Sequence, residues 1–147
     1  RRAGHIINTA SLAGELAVPG LATYCGTKFA VIGFTEAARQ EYRKSGVQLS
    51  TVRPTFTNTE LVAGTAGAKG LRNAEPEEIA RATADLIENP RSFVRVTRLA
   101  GGMVAAMKFV PGRLATWLGS ALGTDSVFLD DVDMRIRQAY LDRIRSN

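Results

Sequence analysis

In the first third of the chain, segments whose apolar residues have the spacing of a strand are followed by segments with the spacing of a helix. The stretch GHIINTAS (4–11) has a short apolar run that ends on small polar residues, as a buried parallel strand does. LAGELAVPGLAT (12–23) contains two glycines and a proline and predicts a loop. Residues 24–46 repeat their apolar positions at helical spacing, and residues 47–54 alternate with the period of a strand. The pattern therefore predicts a strand, a loop, a helix and a second strand.

The next segments continue this alternation. Residues 55–73 contain three glycines and no firm periodicity, so they predict a long loop. Residues 74–90 predict a helix with Ile79, Ala82 and Leu86 on one face, and residues 92–99 alternate like a strand. Strands that alternate with helices are typical of a parallel sheet covered by helices, so the predicted fold class is α/β.

Residues 100–147 form a tail that we assign to the same domain as residues 1–99. One predicted helix carries an apolar stripe with helical spacing, and a charged last helix over 130–145 has an apolar side of its own. The stripe has four interpretations: core, a lid over substrate, a dimer face or a membrane-surface helix. The tail is too interrupted to predict a membrane span. The stripe residues are Leu114, Trp117, Leu118, Ala121 and Leu122, and the last helix adds Val132, Ile136, Tyr140 and Ile144.

Composition and charge narrow the class of protein. With 45% hydrophobic and 22% charged residues, the chain resembles an ordinary globular protein. The net charge is +5, and five basic residues with no acid lie between Arg91 and Gly123. Without interleaved aromatics, these cations do not predict nucleic-acid binding, and they fit a solvated face or an anionic membrane surface.

The single cysteine, Cys25, excludes an intramolecular disulfide and predicts a cytoplasmic location. No metal site is predicted.

A tyrosine and a lysine stand four residues apart in YCGTK (24–28). On a helix, positions i and i+4 share one face, so Tyr24 and Lys28 should point the same way. Such a pair is common by chance on an exposed surface. The alternative is chemical, because a free phenol has a pKa of about 10 and a nearby cation lowers that value. A phenol altered in this way can act as a general acid or base.

Ser11 follows the first predicted strand and precedes the loop that leads to Tyr24. The carboxyl ends of parallel strands and the starts of the following helices meet at one edge of an open α/β sheet, where ligands bind. We therefore expect the hydroxyl of Ser11, the phenol of Tyr24 and the ammonium of Lys28 to converge there.

Three motifs in order, NTASLAG, YCGTK and VRPTFTNTEL, resemble the C-terminal half of a classical short-chain dehydrogenase/reductase over most of residues 4–98. The resemblance implies half of a doubly wound, Rossmann-like parallel sheet with a helical tail. It implies that Tyr24 exchanges a proton with the substrate oxygen. It also implies that Lys28 supports the tyrosine and hydrogen-bonds the nicotinamide ribose, and that Ser11 orients and polarises the substrate carbonyl.

The resemblance extends to the nicotinamide end of an NAD or NADP cofactor. Family members carry P-G-x-x-x-T there, and this chain has Thr55 in place of the glycine. A β-branched residue disfavours positive φ, so the shape of this turn is open to question. The implied cofactor-binding residues are Tyr24, Lys28, Pro54, Thr57 (through its backbone) and Thr59.

The family's remaining parts would precede residue 1. They are the glycine-rich phosphate loop, the residue that selects the ribose and the asparagine of the catalytic tetrad. The chain begins Arg1-Arg2 without an initiator methionine. We therefore expect a fragment that lacks the phosphate-binding half and is inactive alone.

The resemblance implies an NAD(P)-dependent oxidoreductase that interconverts an alcohol and a ketone or aldehyde, with a lipophilic small-molecule substrate. An epimerase or dehydratase of the extended relatives is a rival, which the compact PTFTNTE loop disfavours. A non-catalytic truncated remnant or interaction module is the other alternative. A glycine-rich motif encoded upstream of Arg1 would favour the enzyme. By analogy with the family, the full-length protein is expected to be a homo-oligomer, with KFAVIGFTEAARQEY (28–42) supplying a face.

Overall fold

A computed structural model of the protein describes residues 3–62, 71–121 and 133–145. Its regular elements alternate between strands and helices up to residue 96 and are helical afterwards. In chain order they are β1 (Gly4–Thr9), α1 (Ala22–Glu41), β2 (Val47–Pro54), α2 (Pro76–Glu88), β3 (Phe93–Val96), α3 (Arg98–Met107), α4 (Gly112–Ala121) and α5 (Met134–Arg145), with short 3-10 turns at Leu12–Gly14 and Glu60–Val62.

The described strands form one parallel sheet in the order β1-β2-β3. Helix α1 lies on one face, where Asn8 of β1 donates a hydrogen bond to Thr35 of α1 at 2.8 Å. Helix α2 lies on the other face, where Val52 of β2 packs against Leu86. A parallel sheet with helices on both faces confirms the predicted α/β class, since βαβ crossovers place helices over the sheet.

The apolar core lies between the sheet and α2. Leu86 and Val52 are completely buried. Burying a side chain of this size stabilises the fold by about 1.5–3 kcal/mol, so this layer is a main source of stability. The core residues are Val52, Ala74, Leu86 and Val96, with Ile7, Ile79, Ala82 and Val94 packed against them. The helical face predicted for Ile79, Ala82 and Leu86 is therefore confirmed.

Local sequence explains where the two crossover helices begin. Gly20, just before α1, has φ of 79°, a conformation that glycine adopts at little cost. Helix α2 begins with Pro76 in its first turn and a reciprocal cap between Glu75 and Glu78, in which each side chain accepts a backbone hydrogen bond of the other.

Strand β1 is less buried than predicted. Its outer side has no partner strand among the residues that the structure describes, and Ile6 is 51% exposed. Strand β3 is also shorter than predicted, because the chain leaves the sheet after Val96 and α3 begins at Arg98. Within the loop predicted for 55–73, Thr57 forms an isolated parallel bridge with Ala74.

The tail corrects two interpretations. Leu114 and Trp117 on α4 are 47% and 62% exposed, so neither lies in a core formed by the described residues. Arg95, which lies in β3 just before the tail, is only 23% exposed and pairs with the buried Glu15, so it is not a fully solvated cation. Among the described residues, no helix is both long and apolar enough to cross a membrane. The predictions for Leu122, for Val132 and for the side chains of Ile136, Tyr140 and Ile144 fall outside the described part of the structure.

Candidate functional site

Tyr24 and Lys28 lie one turn apart near the start of α1 and share one face, as predicted. The Nζ atom of Lys28 lies 5.5 Å from the centroid of the Tyr24 ring. The same ammonium donates a hydrogen bond to the carbonyl oxygen of Thr9 at 3.2 Å. Thr9 is the last residue of β1, so this bond fixes the lysine at the carboxyl end of the strand.

Ser11 lies two residues beyond that strand end, where it caps the Leu12–Gly14 turn. Its Oγ accepts a hydrogen bond from the backbone N–H of Ala13 at 3.1 Å and donates one to the carbonyl oxygen of Pro54 at 3.4 Å. The second bond is long for a hydroxyl donor, so exchanging it for another acceptor costs little. The hydroxyl proton is therefore available to an oxygen atom that approaches the site.

Pro54 ends β2 and lies beside Ser11 through that hydrogen bond. The backbone N–H of Thr55 bonds the carbonyl of Val96 in β3. No described residue other than glycine has a positive φ, so Thr55 does not force a strained turn here. Thr57 and Thr59 follow, and they bond within their own loop: the Thr57 hydroxyl donates to Thr55 and the Thr59 N–H to Thr57.

A close approach of backbone to backbone brings the Ser11 turn against α1. A Cβ atom added to Gly14 would lie 2.7 Å from the carbonyl oxygen and 2.8 Å from the carbonyl carbon of Lys28. Real Cβ atoms do not approach backbone that closely, so only glycine fits at this position. Gly14 therefore sets the distance between the turn that carries Ser11 and the helix that carries Tyr24 and Lys28.

Sequence reasoning missed an ion cluster around a buried carboxylate beside this turn, which we call the Glu15 cluster: Glu15, Arg53, Arg95 and Lys108. The Glu15 side chain is 1% exposed. Burial raises the pKa of its carboxyl, whereas hydrogen bonds from Arg95, Lys108 and Arg53 lower it, and the pKa falls from 4.5 to about 2. This stabilising contribution is complete above pH 4.5 and is lost as the pH falls toward 2.

An apolar concavity of about 510 Å³ also adjoins α1. It is lined on the helix by Ala22, Cys25, Gly26 and Phe29. At about 100° per residue, these positions centre about 130° around the helix from Tyr24 and Lys28. The concavity therefore opens on a different face of α1 and is not part of the candidate catalytic site.

The arrangement suits proton exchange with a bound oxygen atom. A phenol, an ammonium and a hydroxyl lie around the carboxyl ends of two neighbouring parallel strands, which is where ligands bind in open α/β sheets. Over the described ranges, no group of three or more His, Cys, Asp and Glu side chains is placed to hold a metal ion.

Comparisons with known proteins agree with this geometry. A family model for short chain dehydrogenases matches residues 1–69. Cyclohexanol dehydrogenase from Acinetobacter sp. (strain SE19) is 35% identical over 97 residues, which cover 62% of this chain and 39% of that protein. The 17-beta-hydroxysteroid dehydrogenase 13 of Rattus norvegicus is 31% identical over 117 residues, covering 78% of this chain and 39% of that protein.

Among solved structures, a short chain dehydrogenase from Burkholderia cenocepacia J2315 in complex with NADP superposes with a TM-score of 0.65. It is 24% identical and the match covers 82% of this chain and 47% of that one, which supports a shared fold. The family model over residues 1–69 and the named relatives together support a place in the short-chain dehydrogenase family. It spans about two fifths of the length of the two curated relatives.

Proposed function

We propose that this chain supplies the proton-transfer half of an NAD(P)-dependent oxidoreductase that interconverts an alcohol and a ketone or aldehyde. The observation that carries the proposal is the position of Lys28, whose ammonium lies against the Tyr24 ring and is bonded to the end of β1. An exposed chance pair has no reason to be held at the ligand-binding edge of a sheet.

In this proposal, Tyr24 exchanges a proton with the substrate oxygen as general acid or base. Ser11 turns its hydroxyl from the Pro54 carbonyl toward that oxygen and polarises it. Lys28 supports the phenol electrostatically and offers its ammonium to the ribose of the cofactor. A bound nicotinamide supplies the chemistry that exchanges hydride with the carbinol carbon, so oxidation of the alcohol is balanced by reduction of the cofactor.

The residues at the end of β2 fit the nicotinamide end of NAD or NADP. Pro54 is buried at the strand end, and Thr57 and Thr59 follow it on a loop whose backbone is bonded to Ala74. All of the proposed catalytic and cofactor-binding residues lie within the region matched by the family model. We propose that residues 1–99 are the second half of the family's domain, that residues 100–147 are its helical tail, and that the preceding half supplies the phosphate-binding loop.

The test uses the complete protein encoded by the gene that contains this chain. The protein is incubated with NADH or NADPH and a panel of lipophilic ketones, and oxidation of the nicotinamide is followed by its absorbance. We expect turnover of at least one ketone with one of the two cofactors. If the protein binds cofactor but turns over no ketone, or if it neither binds cofactor nor turns over a ketone, the alternative is favoured that the chain is a non-catalytic remnant or interaction module.

Replacing Lys28 by methionine should weaken cofactor binding as well as turnover. The loss of a charge-assisted hydrogen bond costs about 1.5–3 kcal/mol, so the Kd for NAD(P) should rise by about ten- to a hundredfold. Lys44→Met is the matched control, because Lys44 is an exposed lysine just beyond the other end of α1. Calorimetric titration of cofactor into both variants decides the matter, and an unchanged Kd in Lys28→Met refutes the ribose contact.

We propose further that the tail makes a peripheral contact with an anionic membrane surface. Phe109 is 90% and Trp117 62% exposed, which is unusual for large aromatic side chains. Arg98 at the start of α3 and Arg113 near the start of α4 are also exposed. Aromatic side chains beside cations are typical of helices that lie at the boundary of an anionic lipid surface.

We propose two further properties of the full-length protein. The first is a cytoplasmic location. The second is a homo-oligomer whose interface covers the exposed Phe29 and Phe34 of α1.

Trp117 is the only tryptophan encoded in the chain, so its emission reports on this contact directly. Emission should shift to the blue on phosphatidylcholine vesicles that contain phosphatidylserine, less on pure phosphatidylcholine, and less at high salt. Arg113→Gln should weaken binding to the anionic vesicles about fivefold. Arg43 is exposed just beyond the far end of α1, so Arg43→Gln is the control and should leave vesicle binding unchanged. If the emission does not shift on anionic vesicles, the membrane proposal is contradicted. If the shift depends only on protein concentration, the proposal is also contradicted, and the chain associates with itself instead.

A further inference from the structure

The Glu15 carboxylate accepts four hydrogen bonds, a complete set for an ionised carboxyl group. Arg53 donates one at 3.1 Å, Arg95 donates two at 2.9 and 2.7 Å, and Lys108 donates one at 2.7 Å. The side chains of Glu15 and Arg53 are 1% and 4% exposed, so this pair is shielded from water. A buried carboxylate with this many cationic donors is held in one position.

The partners come from three separate elements. Arg53 belongs to β2, Arg95 to β3, and Lys108 follows the end of α3. The centre of the Phe93 ring lies 4.2 Å from the guanidinium carbon of Arg53 and 4.7 Å from that of Arg95, within the range of a cation–π contact. Glu15 therefore attaches its own short turn to two strands and to the helical tail.

That turn is the one that presents Ser11. The backbone N–H of Glu15 bonds the carbonyl oxygen of Leu12 at 2.9 Å and closes the 3-10 turn that Ser11 caps. At the other side of the turn, Ser11 bonds Pro54, the neighbour of Arg53. The turn is thus attached to the end of β2 at two points, and of these only the attachment through Glu15 is ionic and fully buried.

We propose that Glu15 is a positioning residue that fixes the Ser11 hydroxyl for the reaction, and that Lys108 links this position to the helical tail. The inference rests on the proposed function, in which Ser11 contacts the substrate oxygen. Without the carboxylate, Arg53 and Arg95 repel each other beneath the turn. The turn then keeps its packing on α1 through Gly14, but its attachment to β2 is reduced to the long Ser11–Pro54 bond, and the hydroxyl loses its fixed direction.

The experiment is a double-mutant cycle in the complete protein, with Glu15→Gln, Ser11→Ala and the combination of both. Glu15→Gln should lower kcat by about tenfold or more with a smaller change in KM. In the Ser11→Ala background the same substitution should change kcat by less than about twofold, because the hydroxyl that it positions is already gone. A general structural role would instead lower kcat equally in both backgrounds, and that result overturns the inference.

Two further variants keep the cycle interpretable. Glu15→Asp retains the charge and should recover part of the lost kcat. Glu36→Gln removes the other carboxylate bonded to Arg53, at 2.8 Å, without touching the turn, and should leave kcat within about threefold. Equal losses in Glu36→Gln and Glu15→Gln would contradict a specific role for Glu15.

Hydrogen exchange supplies a measurement that does not depend on activity. The amide of Ala13, which donates to Ser11, should exchange at least about tenfold faster in Glu15→Gln, and the amide of Leu86 in the core should not change. Faster exchange at Ala13 in a protein with no turnover would refute the proposed function and leave the attachment itself supported. Unchanged exchange at Ala13 overturns the positioning role whatever the turnover.

Discussion

Tyr24→Phe is expected to lower turnover by about two to four orders of magnitude, the usual contribution of a positioned general acid or base. The substitution keeps the ring against the Lys28 ammonium and removes only the hydroxyl. Cofactor binding should therefore survive, and the loss should fall on kcat. The measurement is kcat and KM for the best ketone substrate, under conditions in which the chemical step limits the rate.

The chain provides a matched control for this experiment. Tyr42 caps the other end of α1, is 51% exposed and has no lysine one turn later. Tyr42→Phe should leave kcat within about twofold of the parent, as surface substitutions usually do. A Tyr24→Phe variant with near-parental kcat would show that another group handles the proton.

Gly14→Ala is expected to destabilise the fold by about 3 kcal/mol, the upper part of the usual range for overpacking. The added methyl would meet the carbonyl group of Lys28, and backbone of a helix yields less than the end of a side chain. The turn must move away from α1 and take Ser11 with it. Urea unfolding measures the first effect, and a lowered kcat in the folded variant measures the second.

Gly33→Ala is the control for the glycine substitution. Gly33 lies within α1, the helix against which Gly14 packs, and an added Cβ there would meet nothing within 4 Å. In a helix, alanine is more favourable than glycine by about 1 kcal/mol. This variant should therefore be slightly more stable than the parent. If Gly14→Ala were as stable as Gly33→Ala, the close packing of the turn on α1 would be contradicted.

The elements that the sequence predicted best are those with a local cause. Strand β2 occupies residues 47–54 as predicted, because alternation and a terminal proline are local signals. Helix α2 (Pro76–Glu88) lies within the predicted 74–90, and a proline in the first turn is a local signal as well. The shared face of Tyr24 and Lys28 also follows from local spacing alone.

The Glu15 cluster could not be predicted in the same way. A charged residue inside an alternating strand indicates a solvent-facing position, since unpaired charges are rarely buried. Arg53 is buried and Arg95 is partly buried because a carboxylate from a distant loop reaches both. No local pattern around Glu15 identifies its partners. The cations at Arg95 and Lys108, which suggested a solvated or membrane face, are accounted for by this carboxylate.

The exposure of β1 was also beyond a local pattern. Its apolar residues predicted a strand buried on both faces by partners that belong in part to the half expected to be missing, and in this chain Ile6 is half exposed. Burial of a strand depends on what pairs with its edge and covers its faces, and periodicity contains no information on either.

The wide sequence spacing of the Glu15 cluster has a consequence for the lifetime of the fold. The hydrogen bonds of Glu15 join it to residues 38, 80 and 93 positions further along the chain. Bonds that close such long loops cost more chain entropy than local ones and form late on the folding pathway. Interactions absent from the transition state act mainly on the unfolding rate. The cluster therefore prolongs the time that a folded molecule survives, while the speed at which the chain folds is set by the more local strand–helix units.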